Sequence, residues 1–419
     1  MFTQNRTFIL ILFVLSLFSR EVVSETLEEI VVLGDWRRVS ADQEDSSVVL
    51  LDAQTIKSQS MKHFEQLSYL VPNLNFAASD SRARYFQIRG IGERSGYQGT
   101  PNSSVGFLID DIDYSGQGGI ATTFDVEQIE IHRGPQGSRI GANALAGLIY
   151  IRTKGPTDMF EANSEITLGS YGIKSTGLAF GGPFKENENI SYRLAFRKDK
   201  EDGFRKNLYL KQSDTSRKDE STSRLKINWE TSEKTTIKLL VSRVDLNDPA
   251  DIWTLDGSLN TLSDRPGMDS QKTSSYGLKI FQDFEGFEIQ SLTSSTDTDV
   301  IFSYDADWGN EDSWSPFIYD YFSETLRDRR TFGQEFRLVS DAADLKRNKK
   351  IEWIFGVSYL EIKESNLKKD DGNYGDPSDP YGPYSSSSSS LSNYKSENFS
   401  IFGNIDYLLS ETIKLSFGM

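Results

Sequence analysis

"HRGPQGSRIGANALAGLIYIRTKGP", residues 132–156, sets glycine at positions 134, 137, 141, 147 and 155 beside a β-branched and aromatic run. Glycine in front of a structured element raises the question of phosphate binding, because it lets main-chain amides approach an anion closely. The stretch fails that reading. "GPQGSRIG" lacks the Gly-Lys-Ser/Thr ending of a phosphate loop, and "RGIGERSG" (89–96) is not G-x-G-x-x-G and has no βαβ pattern around it. "GSRIG" is not a nucleophile elbow, because Ser138 stands second rather than third. What remains is backbone freedom used for close approach, running into a strand, "LIYIRTK".

Upstream, residues 46–156 carry a mixed, compact pattern. "SVVLL" reads as a strand, and Asp52 and Ser60 are good N-caps. In "MKHFEQLSYL" the spacing of Met61, Phe64, Leu67 and Leu70 predicts one apolar helical face, stopped by Pro72. "VGFLIDDIDY" reads as two short strands turning at Asp110 and Asp111. "VEQIEIHRG" alternates, with Ile129 and Ile131 opposite Glu130 and His132.

Downstream of Met159 the texture changes to strands of period two without clear helices. In "ISYRLAFRK", Ile190, Tyr192, Leu194 and Phe196 share one face, and Ser191, Arg193, Ala195 and Arg197 share the other. In "SRLKINWE", Leu225, Ile227 and Trp229 oppose Arg224, Lys226, Asn228 and Glu230. In "FSIFGNIDY", Ile401, Ile405 and Tyr407 oppose Phe402, Asn404 and Asp406. Short turns such as "GGPFKENEN" and "ETSEKTT" alternate with long polar, aromatic stretches at 246–271, 305–328 and 367–395. Long alternating strands with that loop asymmetry fit a transmembrane barrel better than a soluble sandwich. Roughly eleven strands are expected after residue 159, whereas bacterial barrels have an even number. The sequence ends at "TIKLSFGM", inside a strand. The expectation is therefore a C-terminally incomplete barrel.

The N-terminus, "MFTQNRTFILILFVLSLFSREVVSET", has Arg6, an apolar stretch from Phe8 to Phe18, and Val22 and Ser24 at the −3 and −1 positions of a cleavage site. This reads as a signal peptide over residues 1–24, with an apolar core too short to span a bilayer. Next comes "ETLEEIVVLG", a short extended segment with nothing nearby to pair with. It is either the first strand of a domain or a docking strand that adds to a partner's sheet.

The 419 residues carry a net charge of −16, which argues against a nucleic-acid partner, and contain no cysteine, which excludes disulfides and thiolate ligands. The two histidines, His63 and His132, read as half-buried polar residues rather than ligands. Asp110, Asp111 and Asp113 read as turn formers. "DADWGNED" (305–312) lacks the ligand spacing of a calcium loop, and the serine run 385–390 reads as a flexible loop. No set of residues supports an enzyme, and no cofactor or resident metal is indicated.

Several motifs occur in an order that resembles the TonB-dependent outer-membrane receptors, in particular the iron-complex (siderophore) receptor group. "LEEIVVLG" looks like the TonB box, "LVPNLNF" with "FQIRGIG" like the central plug motif, and "VEQIEIHRGPQGSRIGANALAGLIYIRTKGP" like the motif that ends the plug. "SEITLGSYG" resembles the first barrel strand and "FGQEFRLVS" (332–340) a recurring barrel motif. The resemblance implies an α+β plug domain inside a transmembrane antiparallel β-barrel, of about 22 strands when whole, about half of them here. It implies a TonB box at Glu28, Glu29, Ile30, Val31, Val32 and Leu33 in a linker over 25–45, a plug over 46–156, and the start of the barrel over 157–419. Leu33 departs mildly, standing where a small polar residue is common. The plug motif falls on Arg89, Gly90, Arg133, Gly134, Pro135, Gly137, Gly141 and Gly147, with Arg133 and Arg152 expected to pair with acidic groups.

The implied function is TonB-driven uptake of a ferric chelate across the bacterial outer membrane, with TonB, the chelate and outer-membrane lipid as partners. Expected ligand contacts are Arg94, Tyr97 and Gln98 on the plug apex and Tyr304, Asp307, Trp308, Trp314 and Tyr319 in the loops. Aromatic loops also suit a carbohydrate or cobalamin, so uptake of either is the alternative. A non-transport structural or adhesive barrel stands further off, opposed by the plug and the TonB box.

Overall fold

The computed structural model describes residues 31–32, 39–40, 47–78, 82–95, 103–136, 144–185, 187–340, 350–410 and 413–419. The expected signal peptide, residues 1–24, lies outside them.

The N-terminal strands β1 (Val31–Val32) and β2 (Val39–Ser40) form a small antiparallel pair, Val31 opposite Ser40 and Val32 opposite Val39. The segment expected to have nothing nearby to pair with thus finds a partner a few residues on.

A five-stranded sheet follows, in the order β3 (Val48–Asp52), β8 (Val126–Arg133), β9 (Gly147–Thr153), β6 (Val105–Ile109), β7 (Ile112–Asp113). β6 and β9 run parallel and the other neighbours antiparallel. β4 (Leu74–Ala78) and β5 (Ala83–Ile88) form a separate hairpin. Helix α1 (Ala53–Ser58) is capped as expected by Asp52, whose Oδ1 accepts the Thr55 amide at 2.7 Å. The helix expected from Met61 to Leu70 is shorter. α2 covers only Phe64–Leu67 and passes into a 3-10 turn at Ser68–Leu70. Ser60 is not its cap, since it sits at φ 53° and His63 takes that place. The expected face survives in part, with Phe64 and Leu67 fully buried. Phe64, Phe86 and Phe107 pack with centroids 5.0 to 5.9 Å apart at the heart of this domain.

The rest of the chain is an eleven-stranded antiparallel sheet in sequence order. Its strands are β10 (Glu161–Leu168), β11 (Lys174–Phe184), β12 (Asn187–Glu201), β14 (Lys218–Ser232), β15 (Thr235–Ala250), β17 (Gly267–Phe284), β18 (Phe287–Asp305), β19 (Ile318–Ser340), β20 (Ile351–Gly375), β21 (Tyr384–Ser410) and β22 (Ile413–Gly418). A short parallel pair, β13 (Lys206–Asn207) with β16 (Asn260–Thr261), ties two of the long connections together, and a one-turn helix α3 (Glu311–Trp314) sits in a third.

The expected two faces are those observed. Leu194, Phe196 and Trp229 are 38%, 46% and 45% exposed, while Arg193, Arg197 and Arg224 are buried. Further along, Ile401 and Ile405 are exposed, and Phe402, Asn404 and Asp406 are buried. The apolar face points outward and the charged face points in, the inversion that a wall between lipid and a polar lumen requires. No helix among the described residues is long and apolar enough to cross a membrane.

The strands outrun their apolar belts. On β20 the outward series Ile351, Trp353, Phe355, Val357, Tyr359 gives way to Glu361 and Lys363, and the ladder continues to Gly375. The serine run 385–390 is therefore not a loop. It pairs residue by residue with Lys368–Asn373 inside β21. Serine satisfies strand backbone as well as any residue, and here the neighbouring polar strand supplies the ladder that composition alone cannot reveal.

Candidate functional site

The α+β domain lies within the curve of the sheet, and buried charges hold it there. Arg82, at the start of β5, donates from Nε to Glu220 Oε1 at 2.7 Å, from Nη2 to Glu220 Oε2 at 2.8 Å, and from Nη1 to Glu65 Oε1 at 2.6 Å. Arg84 pairs with Asp269 on β17. Asp125 accepts from Arg193 on β12 at 2.9 and 2.5 Å. Asp110 accepts from Lys226 on β14 at 2.9 Å, and Asp111 pairs with Lys279 on β17. Lys62 reaches Ser175 on β11 at 2.7 Å, and Gln117 accepts from Thr298 on β18, also at 2.7 Å. Leu240, Val244 and Leu246 of β15 join the apolar core of the inner domain.

These pairs follow a polarity. The inner domain's carboxylates meet barrel cations at the level of Arg193, Lys226 and Lys279, toward the short turns. Its arginines meet barrel carboxylates at the level of Glu220 and Asp269, toward the long connections. Two strands thus present positive charge low and negative charge high.

Asp110 and Asp111 do make the turn between β6 and β7, at φ 53° and 71°. They also carry two of the docking pairs. Burial opposes their charge, but Lys226 beside Asp110 and Lys279 beside Asp111 hold both carboxyls below the ordinary range. His63 is fully buried rather than half-buried. Its Nδ1 accepts the Glu65 amide at 3.3 Å and its Nε2 lies 3.0 Å from the Gly119 carbonyl oxygen. Burial pushes its pKa down to about 4, so the ring is neutral in its role as a cap. For Glu65 burial works against the charge, but Arg82 and the Ala83 amide outweigh it and bring the carboxyl down to about 2. His132 is likewise buried, with Nε2 2.8 Å from Glu130 Oε2.

The glycine-rich stretch closes the inner domain. Gly147 begins β9 at φ 155°, and a Cβ there would lie 2.4 Å from the His132 carbonyl oxygen and 2.7 Å from Ile88 Cδ1. Only glycine permits that approach. Gly134 also has positive φ (132°), and its amide donates to the Ala146 carbonyl at 3.2 Å. Pro135 is exposed beside it, and Gly137 and Gly141 lie outside the described residues. In the other motif, Arg89 and Gly90 form the turn after β5 at φ 54° and 80°, with the Arg89 amide donating to the Asn73 carbonyl at 2.9 Å. Arg152 has its expected partner in Glu127 at 3.2 Å. Arg133 has no acidic partner among the described residues, and its Nε is buried without a hydrogen bond.

Above the inner domain, the tops of β18 to β21 present rings toward the lumen. Trp314 lies 5.1 Å from Tyr319, Tyr319 5.8 Å from Tyr374, and Tyr374 5.5 Å from Tyr384. Tyr304 stacks 5.0 Å from Trp253 and 5.5 Å from Phe302. Arg265 pairs with Asp320 at 2.5 Å and covers the Phe322 ring at 5.1 Å. The structure thus brings Tyr304, Trp314 and Tyr319 to one wall and adds Trp253, Tyr374 and Tyr384. These three lie in the aromatic stretches 246–271 and 367–395, but nothing local singled them out as contacts. Register in the ladder aligns Tyr319, Tyr374 and Tyr384.

Asp307 is a strut of its loop. It accepts from the Gly309 amide (2.9 Å), Trp314 Nε1 (3.1 Å) and the Tyr321 amide (2.8 Å), and is 3% exposed. Trp308, beside it at φ 63°, is 41% exposed. On the inner domain Arg94 is exposed, while Tyr97 and Gln98 lie outside the described residues. At the N-terminus, Val31 and Val32 form β1, and Glu28, Glu29, Ile30 and Leu33 lie outside the described residues.

An α+β domain docked by buried ion pairs inside an outward-apolar strand wall defines a plugged β-barrel. Residues 40–148 match the TonB-dependent Receptor Plug Domain. The ferric enterobactin receptor PirA of Pseudomonas aeruginosa is 24% identical over 194 residues, 42% of this chain and 26% of that protein. The structure of the ferric yersiniabactin uptake receptor FyuA from Yersinia pestis aligns with TM-score 0.66 at 14% identity, over 90% of this chain and 64% of that one. That of FpvA from P. aeruginosa, in a pyoverdine–iron complex, aligns with TM-score 0.64 at 13% identity, over 91% of this chain and 57% of that one. Residues 40–148 thus carry a plug domain of the kind found in TonB-dependent receptors, and plug and wall together have the fold of those solved receptors. It spans less than two thirds of the length of each of these three proteins.

Proposed function

We propose that the protein takes up a ferric chelate of the siderophore type across the bacterial outer membrane, driven by TonB. The observation that carries this reading is the lumen-facing aromatic wall from Trp314 to Tyr384 above a docked plug. Flat rings suit a chelate with aromatic or extended conjugated arms, and the relatives' names point the same way, to ferric enterobactin, yersiniabactin and pyoverdine. In this reading residues 1–24 direct export, residues 25–45 hold the TonB box, and 46–156 form the plug. The TonB box at Glu28–Leu33 adds as a strand to TonB by main-chain hydrogen bonds.

A second reading, uptake of a carbohydrate, rests on the same rings, because sugar faces stack on aromatics as well. Uptake of radiolabelled iron as ferric catecholate and ferric hydroxamate, against labelled maltodextrin and cobalamin, separates the readings in cells with and without the protein. Iron uptake that depends on the protein supports the first. Dependence confined to the sugar or to cobalamin rejects it.

A further inference from the structure

Where the wall of rings begins, the chain buries two carboxylates side by side. Asp305 ends β18 at 4% exposed, and Asp307 follows it, buried as described above. Asp297 and Asp299 lie lower on the same strand and are exposed, so the pair stands above the apolar belt. Asp307 is served by three N–H donors, an arrangement that favours a charged carboxylate. Asp305 is not. Its Oδ1 accepts only the Asp307 amide, at 3.3 Å, and its Oδ2 is buried without a hydrogen-bond partner. The Asp307 side chain lies within hydrogen-bonding reach of it.

No free cation balances the pair among the described residues. Asp264 and Arg265 face it from the connection before β17, and Asp320 and Tyr321 from β19. Arg265 is taken up by Asp320 and the Phe322 ring, and Asp264 has its own Oδ1 buried without a partner. Tyr321 gives its amide to Asp307 and turns its hydroxyl to Asp370. Glu311 and Asp312 of α3 are exposed and add only negative charge. Two buried carboxylates in this setting cannot both stay ionised. Burial first, then Asp307 and Asp264, push the Asp305 carboxyl up to about 8.

We propose that Asp305 carries a proton on Oδ2, donates it in a hydrogen bond to Asp307, and so clasps the 306–317 connection onto the end of β18. That connection brings Trp314 against Tyr319, so Asp305 is a positioning residue of the aromatic wall. The clasp does not depend on which ligand the wall takes. An ordinary aspartate gives up its proton near 3.8, and this one holds it to about 8 while the connection is closed. Closure is therefore fully supported in acid, weakens by about tenfold per pH unit between those two values, and levels off above pH 8.

Hydrogen exchange of amides 306–321 in the full-length protein in detergent, corrected for intrinsic rates, reads the opening from pH 5 to 9. Opening in the wild type should rise about tenfold per unit and level off near pH 8. Asp305→Asn keeps a donor toward Asp307 without a titrating proton, so its opening should stay flat. Asp305→Ala should raise opening at every pH. An infrared carboxyl band present at pH 6 in the wild type and absent from Asp305→Asn should fade near pH 8. Parallel slopes in the wild type and the Asn variant, or the lack of that difference band, overturn the clasp. Opening that responds to added calcium rather than to pH overturns it in favour of a bound cation. Labelled-iron uptake decides the transport reading separately, so either can fail without the other.

Discussion

Arg82 and Glu220 stand 138 positions apart in sequence, yet their Nε and Oε1 lie 2.7 Å apart across the boundary between plug and barrel. Arg82 also serves Glu65, so one guanidinium bridges two carboxylates. Arg82→Ala should loosen the plug by about 3 kcal/mol, because Glu220 stays buried after losing both of its hydrogen bonds from Arg82 and Glu65 loses its ion pair. The double variant Arg82→Ala, Glu220→Gln should recover part of that. Hydrogen exchange of plug amides in the detergent-solubilised protein measures both. Equal exchange in the wild type and the single variant would rule out the latch.

His63 predicts an acid sensitivity. Its folded pKa, about 4, lies below the ordinary imidazole value of 6.5, so the neutral ring contributes stability above pH 6.5 that is lost as pH falls toward 4. The loss is at most roughly 3 kcal/mol at 1.36 kcal/mol per unit. Glu65 titrates near 2 and stays charged through that window. His63→Asn keeps a capping acceptor and removes the titration. Its plug should open less steeply than the wild type between pH 6.5 and 4, as followed by exchange or limited proteolysis.

Gly147 and Gly134 separate steric crowding from backbone strain. Both have positive φ, but a methyl on Gly147 meets the His132 carbonyl, whereas one on Gly134 meets nothing within 4 Å. Gly134→Ala should cost on the order of 1 kcal/mol from φ alone, and Gly147→Ala distinctly more. Denaturant midpoints of the two variants would show the order, and a reversal would contradict the close approach.

Val31 sits in β1, in the segment proposed to add to TonB as a strand. Val31→Pro removes a ladder N–H and should abolish uptake while leaving binding of the ferric chelate intact. Unimpaired uptake by that variant would reject the assignment.

The aromatic wall predicts a graded effect on binding. Tyr319→Ala and Tyr374→Ala should each weaken ligand affinity about tenfold, at about 1 kcal/mol or a little more per ring, with unchanged barrel melting. Titration by intrinsic fluorescence quenching reads this directly. Full affinity in both variants would move the ligand elsewhere.

The wall was legible because strands repeat every two residues, and Leu194 against Arg193 needs no partner to declare a face. The Asp52 cap was legible for the same local reason. The helix expected over 61–70 was not, because spacing records which side chains are buried and not where the chain leaves the helix. His63 ends that expectation by taking the cap three residues late. The serine run misled because loop-like composition says nothing about the strand beside it. The docking pairs were out of reach altogether. Nothing near Asp110 names Lys226, and nothing near Tyr319 names Tyr374, until the register is known.

The opposed charge levels of the wall bear on what happens when the plug moves. Arg193, Lys226 and Lys279 would then stand bare below Glu220 and Asp269, as two electrostatic steps of opposite sign along one path. A small cation is repelled at one step and a small anion at the other, so a gap along this wall is a poor leak for either. The same residues that fasten the plug would set this barrier to small ions while it is displaced.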